Sequence, residues 1–315
     1  MGDATFHEGE LALQQRAGSL SVLAQAGPRV IRDAMPQQHR DFFAQLVFLL
    51  VGALDAQGRP WASVLTGPAG FAFSPDAREL RVQARFAPHD PLAGSIVAGA
   101  PIALLGIEPH TRRRNRLNGR VAQSTQEGFV VEATQSFGNC PKYIQARRPE
   151  FKEMPAGPPV AQRLAVLDEP ARTMIERADT FFIATAHPKA GQDEARAFGV
   201  DVSHRGGKPG FVRVDGDAQL TVPDFAGNSY FNTLGNLVLN PRCGLLFIDF
   251  ASGDLLHVAA RGEIVLDGPE LAVFTGAQRL MRFRVSCAWR VPAGLPLRWS
   301  EAQLSPVLAG TGSWR

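Results

Sequence analysis

The pattern of apolar and polar positions divides the chain into two halves that carry the same elements in the same order. Apolar runs of strand length recur with similar spacing in each half. Three pairs of strands carry the repeat: residues 48–53 with 181–186, 104–108 with 245–249, and 117–121 with 260–264. Because internal repetition determines a fold more strongly than local propensity does, the sequence predicts one architectural unit built twice.

The first unit is predicted to begin with a helical segment, residues 1–43. Apolar residues recur at loosely helical spacing over 7–34, with an interruption predicted at Gly27 and Pro28. Residues 44–146 then read as short strands with one inserted helix near 92–97, which predicts a small antiparallel barrel.

A proline-rich stretch separates the two units. Residues 147–160 hold four prolines and one glycine, a composition that disfavours regular structure, so we predict a linker over 147–168. Asp168, Glu169 and Pro170 then form a typical helix start. The second barrel is predicted over 169–315, with a helix at 229–239 before the strand at 244–250.

Composition adds the class of protein. The chain is 45% hydrophobic and 20% charged, with no apolar run of the roughly 20 residues that a membrane helix needs. Its polar N-terminus lacks the pattern of a secretory signal, so we expect a cytoplasmic protein without a membrane role. Three widely separated cysteines favour reduced thiols, and no metal site is predicted.

The formal net charge of +3 is small for 315 residues, so no nucleic-acid role is predicted. The basic run 111–116 lacks interleaved aromatic residues and is interpreted as a solvated hairpin. No G-x-G-x-x-G follows a strand, which excludes a Rossmann nicotinamide domain, and no nucleophile elbow or H-x-x-x-H is present.

One ordered set of elements in the second half identifies a family resemblance. A strand, a basic turn, two further strands, a polar helix start and the run NPRCGLLFIDF follow one another between residues 198 and 250. This set resembles the FMN-binding split barrels of the pyridoxamine 5'-phosphate oxidase-like superfamily, and the first half resembles a more divergent member. The resemblance implies a mainly β fold with peripheral helices, built from two tandem Greek-key split β-barrels.

The resemblance also implies FMN between two barrels, which usually come from two subunits, although one chain can supply both here. FMN carries a dianionic phosphate that needs fixed cations. In the family, two basic residues five apart hold the phosphate and ribityl chain, and Lys208 and Arg213 match that spacing. The alternative is that the charges of this turn are merely solvated.

The start of the predicted helix at 229–239 supplies polar donors for the same phosphate. A helix N-terminus attracts anions through its free N–H groups and its dipole. The candidate donors are Asn228, Ser229, Asn232 and Thr233. Aromatic residues stand at 230 and 231, where the family commonly has a basic residue, and simple helix capping by Asn228 and Ser229 is the alternative.

The first half has no basic pair at the equivalent strand and turn, so it is predicted to hold no phosphate. Its unusual segment 136–144 mixes small, amide, thiol, cationic and aromatic residues. Asn139 and Lys142 are candidates for hydrogen bonds to the flavin's polar edge or to a substrate anion, and Tyr143 for stacking on a ring. Cys140 is either a redox thiol or a buried cysteine.

These observations predict an FMN-dependent oxidoreductase that acts on a small organic substrate as a homodimer. The electron donor is expected to be a nicotinamide bound beside the flavin, or a partner reductase. The alternatives are a protein that binds flavin, deazaflavin or haem without turnover, with His187, His204 or His257 as iron ligands, and a structural scaffold. No residue is predicted to be catalytic.

Overall fold

The computed structural model describes residues 4–154, 157 and 159–314. Three helices precede the first strand: α1 (Glu8–Arg16), α2 (Leu20–Val30) and α3 (Gln37–Ala44). The strands of the first unit are β1 (Phe48–Leu54), β2 (Pro60–Thr66), β3 (Ala72–Phe73), β4 (Glu79–Val82), β5 (Pro101–Glu108), β6 (Arg113–Ser124) and β7 (Phe129–Gly138).

The second unit repeats this arrangement after a connection that contains β8 (Pro149–Phe151), β9 (Gln162–Leu164) and α4 (Glu169–Arg177). Its strands are β10 (Thr180–Ala186), β11 (Val200–Gly206), β12 (Arg213–Asp215), β13 (Gln219–Phe225), β14 (Arg242–Ile248), β15 (Leu255–Val265) and β16 (Ala277–Val291). Helix α5 (Asn232–Leu239) precedes β14, α6 (Pro269–Ala272) precedes β16, and β17 (Leu297–Trp299) follows it.

The two large antiparallel sheets have the same strand order. The first runs β2-β1-β5-β6-β7-β4-β3, and the second runs β11-β10-β14-β15-β16-β13-β12. The predicted fold class is confirmed: the chain is mainly β and consists of two tandem split β-barrels with peripheral helices and an N-terminal helical segment. No helix among the described residues is long and apolar enough to span a membrane.

The central strands are apolar on both faces because each face packs into a different core. Leu49 and Val51 of β1 belong to the core of the first barrel, whereas Leu50 points into a separate cluster shared with the second barrel. In β10, Phe181 packs into the core of the second barrel and Phe182 into the shared cluster. This shared cluster joins the two barrels, and it explains why β1 and β10 appear as continuous apolar runs in the sequence.

The N-terminal helices are interrupted at a different position from the one predicted. The interruption predicted at Gly27 and Pro28 is wrong, because α2 continues through both residues. The chain instead turns at Gly18, whose φ of +69° is accessible to glycine and ends α1. Pro28 is tolerated because it lies in the last turn of α2.

Two other local predictions are wrong. Residues 92–97 form turns and no helix, because Pro91 precedes them and Gly94 adopts a φ of +78°. The predicted linker 147–168 contains the short strands β8 and β9, which pair with β17 and β16, respectively. Tertiary pairing therefore overrides its composition; Pro155, Ala156 and Pro158 of this linker lie outside the described residues.

Candidate functional site

A cavity lies where the two barrels meet, and both barrels supply its walls. It encloses about 120 Å³ and is open to solvent on one side. The first-barrel wall comes from β6 and from the segment after β7. The second-barrel wall comes from β11, the end of β13, the loop 227–231, the start of α5 and the start of β16. One chain is therefore sufficient to form it.

Two arginines of β6 line the first-barrel wall. Arg114 and Arg116 face the same side because side chains two apart on a strand do so. The Arg116 side chain is 3% exposed and donates to Asp201 Oδ1 at 2.9 Å. It also donates to Asn232 Oδ1 at 3.1 Å and to a hydroxyl oxygen of β11. Arg116 is thus a buried cation that ties the first barrel to the second.

Arg114 differs from Arg116 because its recorded acceptors are carbonyl oxygens. Its Nε donates to the carbonyl of Cys140 at 2.8 Å, and Nη1 to that of His204 at 3.4 Å. Removal from water, together with the neighbouring Arg116 and Arg205, lowers the pKa of Arg114 to about 10. A cation in such a place is well suited to an anionic ligand.

The second-barrel wall adds further cations around an imidazole. Arg205 donates to Asp224 Oδ1 at 2.6 Å, and Arg279 lies 3.6 Å from the other oxygen of that carboxylate. His204 is 5% exposed, and burial, followed by Arg114 and Arg205, holds its pKa well below the usual value. His204 is therefore neutral at physiological pH, while the guanidinium groups around it are charged.

The loop that leads into α5 is strained. Five non-glycine residues in the described part of the chain have positive φ, and three of them line the cavity: Tyr143 (64°), Ser229 (60°) and Phe231 (62°). Such conformations are costly and cluster at functional sites. Tyr230, between two of them, has negative φ, and alternating signs of φ are a feature of anion-binding backbone nests.

Helix α5 begins at this loop without a side-chain cap. Phe231 occupies the N-cap position, and no side chain there accepts a hydrogen bond from the helix. The first-turn N–H groups of a helix have no intrahelical acceptors. Asn232, Thr233 and Leu234, which form this turn, all line the cavity. The capping alternative for Asn228 and Ser229 is wrong, since Asn228 Oδ1 instead accepts from the Tyr230 N–H at 3.2 Å.

Several buried donor atoms at the cavity lack a protein acceptor. They are Arg116 Nε, Asn139 Nδ2 and Arg205 Nε. Buried polar groups in folded proteins are nearly always hydrogen-bonded, so each such atom calls for a partner from outside the protein chain. All three are donors, which indicates a partner rich in acceptors.

The structure brings most of the sequence-predicted site residues together. Those that line the cavity are Asn139, Lys142, Tyr143, Asn228, Ser229, Asn232 and Thr233. Cys140 lines it as well. The side chains of Asn232 and Thr233 are buried and bonded to neighbours, Thr233 Oγ1 lying 2.8 Å from Ser203 Oγ. These residues come from segments about 90 positions apart, which only the contact between the barrels unites.

Lys208 and Arg213 are not among the residues that line the cavity, contrary to the prediction. Lys208 Nζ donates to the carbonyl oxygen of Thr311 at 2.6 Å. Arg213 pairs with Asp215 and Glu270 and lies 4.2 Å from the ring centroid of Trp314. The C-terminal segment therefore covers the basic turn, and these two cations bond to local protein groups in this structure.

The arginines are the residues that sequence reasoning missed. The run 111–116 was predicted to be a solvated hairpin, which is wrong for Arg116 because Asp201 and Ser203 of the other barrel enclose it. Period-2 spacing of Arg114 and Arg116 on a strand was the available sequence signal. Arg205 lies near the end of β11, immediately before the basic turn.

The corresponding place on the other side of the barrel contact has lost these cations. Because the two sheets have the same strand order, β5 and β6 of the first barrel correspond to β14 and β15 of the second. Arg116 pairs with Leu105 on β5, and His257 pairs with Leu246 at the equivalent position on β14, so His257 is the counterpart of Arg116. In the same way Arg205 is equated with Leu65. There a carboxylate of the protein itself, Asp90, hydrogen-bonds Ser63. At this second place neither His257 nor Leu65 supplies the guanidinium group that Arg116 and Arg205 provide at the cavity.

A second group of titratable side chains lies at the start of α1. His187 Nε2 is 3.3 Å from Glu8 Oε1, and the rings of His7 and His187 are 5.0 Å apart. The Nδ1 atoms of the two histidines accept backbone N–H groups of Gly9 and Lys189, both at 3.2 Å. Each neutral ring therefore carries its proton on Nε2, the tautomer that does not bind a metal through that atom. We assign this group of side chains a role in holding α1 against the second barrel.

Comparisons with known proteins add similarity of fold only. No family model matches the chain, and no curated protein matches it significantly. Similar solved structures include HupZ of Group A Streptococcus, at 12% identity over 38% of this chain and 91% of that one, with a TM-score of 0.30.

Two further similar structures come from other bacteria. An FMN-binding protein of Syntrophomonas wolfei shares 14% identity over 39% of this chain and 84% of its own, with a TM-score of 0.29. A candidate pyridoxamine 5'-phosphate oxidase of Lactobacillus delbrueckii shares 15% identity over 39% of this chain and 93% of its own, with a TM-score of 0.30. Because these scores are low, the fold assignment rests on the strand order of the two sheets.

Proposed function

We propose that the cavity between the barrels binds FMN and that the chain is an FMN-dependent oxidoreductase acting on a small organic substrate. The observation that carries the proposal is the cluster of guanidinium groups from Arg114, Arg116 and Arg205 beside the uncapped N-terminus of α5. Asp201 and Asp224 are the carboxylates paired with these arginines. A dianionic phosphate supplies the charge and the acceptor atoms that this set lacks.

The donors at the cavity fit the phosphate and ribityl groups of FMN. Arg205 and the first turn of α5 offer charged and backbone donors, and Ser229 and Asn228 add polar side chains at the same loop. The unpartnered Nδ2 of Asn139 is a donor for the polar edge of a flavin ring. The buried groups therefore gain partners when a molecule of this chemistry binds.

Apolar and aromatic side chains border the same cavity. Tyr143 stacks on Phe225, with ring centroids 5.0 Å apart, and Leu105 and Phe211 are also part of the lining. A planar ring system needs such surfaces beside its polar edge. We infer that these side chains hold the isoalloxazine and exclude water from it.

FMN, when bound, supplies hydride and single-electron transfer. The chain's own residues contribute binding, orientation and electrostatics. Arg114 and Lys142 have no carboxylate partner among the described residues, and their charge favours added negative charge on a bound cofactor, which favours the reduced form. His204, held neutral, can donate or accept one hydrogen bond at the cavity without changing the charge there.

Reduction of the bound flavin tests the proposal. Protein reconstituted with excess FMN and desalted is titrated anaerobically with NADH or NADPH, while the visible flavin absorption is followed. Bleaching by a nicotinamide, and recovery on addition of an oxidised substrate, support an oxidoreductase. A protein that retains FMN but exchanges electrons with no nicotinamide or chemical reductant contradicts the catalytic part.

A non-catalytic haem-binding role is the second candidate, and one observation favours it. Of the three histidines considered as iron ligands, His204 lines the cavity, and its neutral imidazole is the form that ligates iron. A Soret band on haem titration that is lost in His204→Ala supports this candidate. Homodimerisation and the identity of the electron donor stay predictions.

A further inference from the structure

We infer that helix α1 clamps the cavity loop 227–231, so that FMN affinity depends on the docking of α1 against α5. The ligand in this statement rests on the proposed function, whereas the clamp itself is a property of the protein without ligand. The clamp adds a residue, Glu10, and a segment, the N-terminal helix, that the cavity lining does not contain. Three contacts from the N-terminal segment carry the inference, two to Tyr230 of the loop and one to Asn232, the first residue of α5.

The seat of α1 is a direct backbone contact. Gly9 of α1 lies on Gly235 of α5, and a Cβ added to Gly9 would stand 2.3 Å from the carbonyl oxygen of Gly235. Leu13, one turn further along α1, packs into the core of the second barrel beside Leu234 and Leu237. Neither the helix backbone nor this core can move aside easily, so α1 docks in one position.

Docked in this position, the N-terminal segment contacts Tyr230 and Asn232, the residues immediately before and after Phe231. Glu10 Oε1 accepts a hydrogen bond from Asn232 Nδ2 at 2.6 Å. Gln14 Nε2 donates to the carbonyl oxygen of Tyr230 at 3.3 Å. The ring of Tyr230 also lies 5.9 Å from that of Phe6, at the N-terminal end of the same segment. These contacts fix the residues immediately before and after Phe231.

The loop requires such support because of its backbone conformation. Ser229 and Phe231 adopt positive φ, which L-residues maintain only where neighbouring contacts over-determine it. Without α1, the loop is expected to relax and to displace the first turn of α5, whose residues line the cavity. The same chain of contacts reaches the cations, because Asn232 Oδ1 accepts from Arg116 Nη1 at 3.1 Å. Glu10 is thus a positioning residue for the loop and for Arg116.

Thermodynamic linkage makes the expected effect reciprocal, and typical couplings between sites indicate its size. If docking of α1 strengthens ligand binding, then ligand binding strengthens the docking of α1 by the same factor. Couplings between sites typically amount to about 5- to 150-fold in affinity. We therefore expect undocking of α1 to weaken FMN binding within that range.

The variant Gly9→Ala tests the clamp. Alanine improves the intrinsic stability of a helix, so any loss arises from the blocked contact with Gly235 and not from α1 itself. Gly310→Ala is the control, since an added Cβ there meets nothing within 4 Å. We expect FMN to bind at least about fivefold more weakly to Gly9→Ala and unchanged to the control. Equal affinity of Gly9→Ala and wild type overturns the clamp.

Hydrogen exchange of the unliganded protein gives a readout that does not depend on FMN. Peptides covering α1 and residues 227–233 are expected to exchange faster in Gly9→Ala, while peptides of β10 and β15 keep their protection. Unchanged exchange of 227–233 refutes the clamp. If wild-type protein binds no FMN, the proposed function fails, and this exchange measurement still decides the clamp.

A second pair of variants covers the case in which Gly9→Ala does not fold. Glu10 Oε2 also accepts the backbone N–H of His7 at 2.9 Å, so Glu10→Gln keeps one acceptor oxygen for the two donors His7 and Asn232, whereas Glu10→Ala keeps none. We expect FMN affinity and loop protection to decrease from wild type to Glu10→Gln and further to Glu10→Ala. Equal behaviour of the two variants shows that the hydrogen bond to Asn232 does not position the loop, and it overturns the role of Glu10.

Discussion

Replacement of Arg205 by methionine should weaken FMN binding without unfolding the protein. Arg205 lines the cavity, its side chain is 24% exposed, and its Nε lacks a protein acceptor. Its recorded ionic partner is Asp224, which also lies 3.6 Å from Arg279. Because Arg279 remains beside that carboxylate, the substitution leaves no buried charge without a counterion.

The magnitude follows from the contact that is lost. A hydrogen bond to a charged group is worth about 1.5–3 kcal/mol. Since about 1.4 kcal/mol corresponds to a tenfold change, the dissociation constant for FMN should rise about 10- to 150-fold. Stability should fall much less, because the partly exposed ion pair with Asp224 contributes only about 1 kcal/mol.

Arg213→Met is the matched control, since the family resemblance implies that Arg213 and Lys208 hold the phosphate. Arg213 is 33% exposed, pairs with Asp215 and Glu270, and does not line the cavity. Titration of flavin fluorescence with each variant gives both dissociation constants. Weakening by Arg205→Met with little change in Arg213→Met is expected. The reverse pattern refutes the assignment of the cations to the cavity.

Three further predictions test other parts of the account. Cys140 lines the cavity, so it should react with a maleimide, and bound FMN should protect it from the reagent. Burial raises the pKa of the Cys243 thiol, so Cys243 should react only after unfolding. Mass spectrometry of the labelled peptides checks both outcomes. Burial lowers the pKa of His7 to about 4 and also lowers that of His187, so the native state disfavours their protonation. Their contribution to stability is therefore complete above about pH 6.5 and is lost as the pH falls toward 4. The urea midpoint of the wild-type protein should decrease over this interval. The decrease should be less steep in a His187→Gln variant, which lacks one of the two titrating rings. Gly119→Ala places a Cβ 2.0 Å from a backbone carbonyl oxygen of β7, and the free energy of unfolding should fall by about 1–3 kcal/mol; an unchanged urea midpoint contradicts the register of this strand pair.

The sequence carries the architecture because the central strands are locally distinctive. Strands β1 and β10 are apolar on both faces, and that pattern arises from a core on one side and a barrel contact on the other. The polar residues at the start of α5 were also identifiable, because a helix N-terminus before an apolar strand has a clear sequence pattern. Their position at the cavity follows from the order of strands.

The cationic part of the site was not predictable from local sequence. Arg116 is buried because Asp201, on the other barrel, meets it across the contact, whereas the period-2 spacing of Arg114 and Arg116 indicates only that the two side chains share a face. Lys208 is removed from the cavity by a carbonyl group at Thr311, about a hundred residues later. Both outcomes depend on contacts between distant segments, which spacing along the chain does not determine.

The helix predicted over 229–239 begins three residues later than expected, for a reason that differs from that for the buried arginines. The sequence places a helix start at Ser229, whereas α5 begins at Asn232 and the preceding residues form the strained loop. Serine and phenylalanine rarely adopt the left-handed conformation that Ser229 and Phe231 have here, so local preference does not explain the loop. Tertiary contacts with α1 hold it instead. Conflicts between local preference and the observed backbone are expected at functional sites.

The most direct test of the central claim is the stoichiometry of FMN binding, measured by calorimetric titration of purified protein after removal of any bound flavin. The account predicts one FMN per chain, because at the equivalent positions on the other side of the barrel contact His257 and Leu65 stand in place of Arg116 and Arg205, and the carboxylate of Asp90 accepts a hydrogen bond from Ser63 there. Failure to bind FMN, or binding of two molecules per chain with similar affinity, would contradict it.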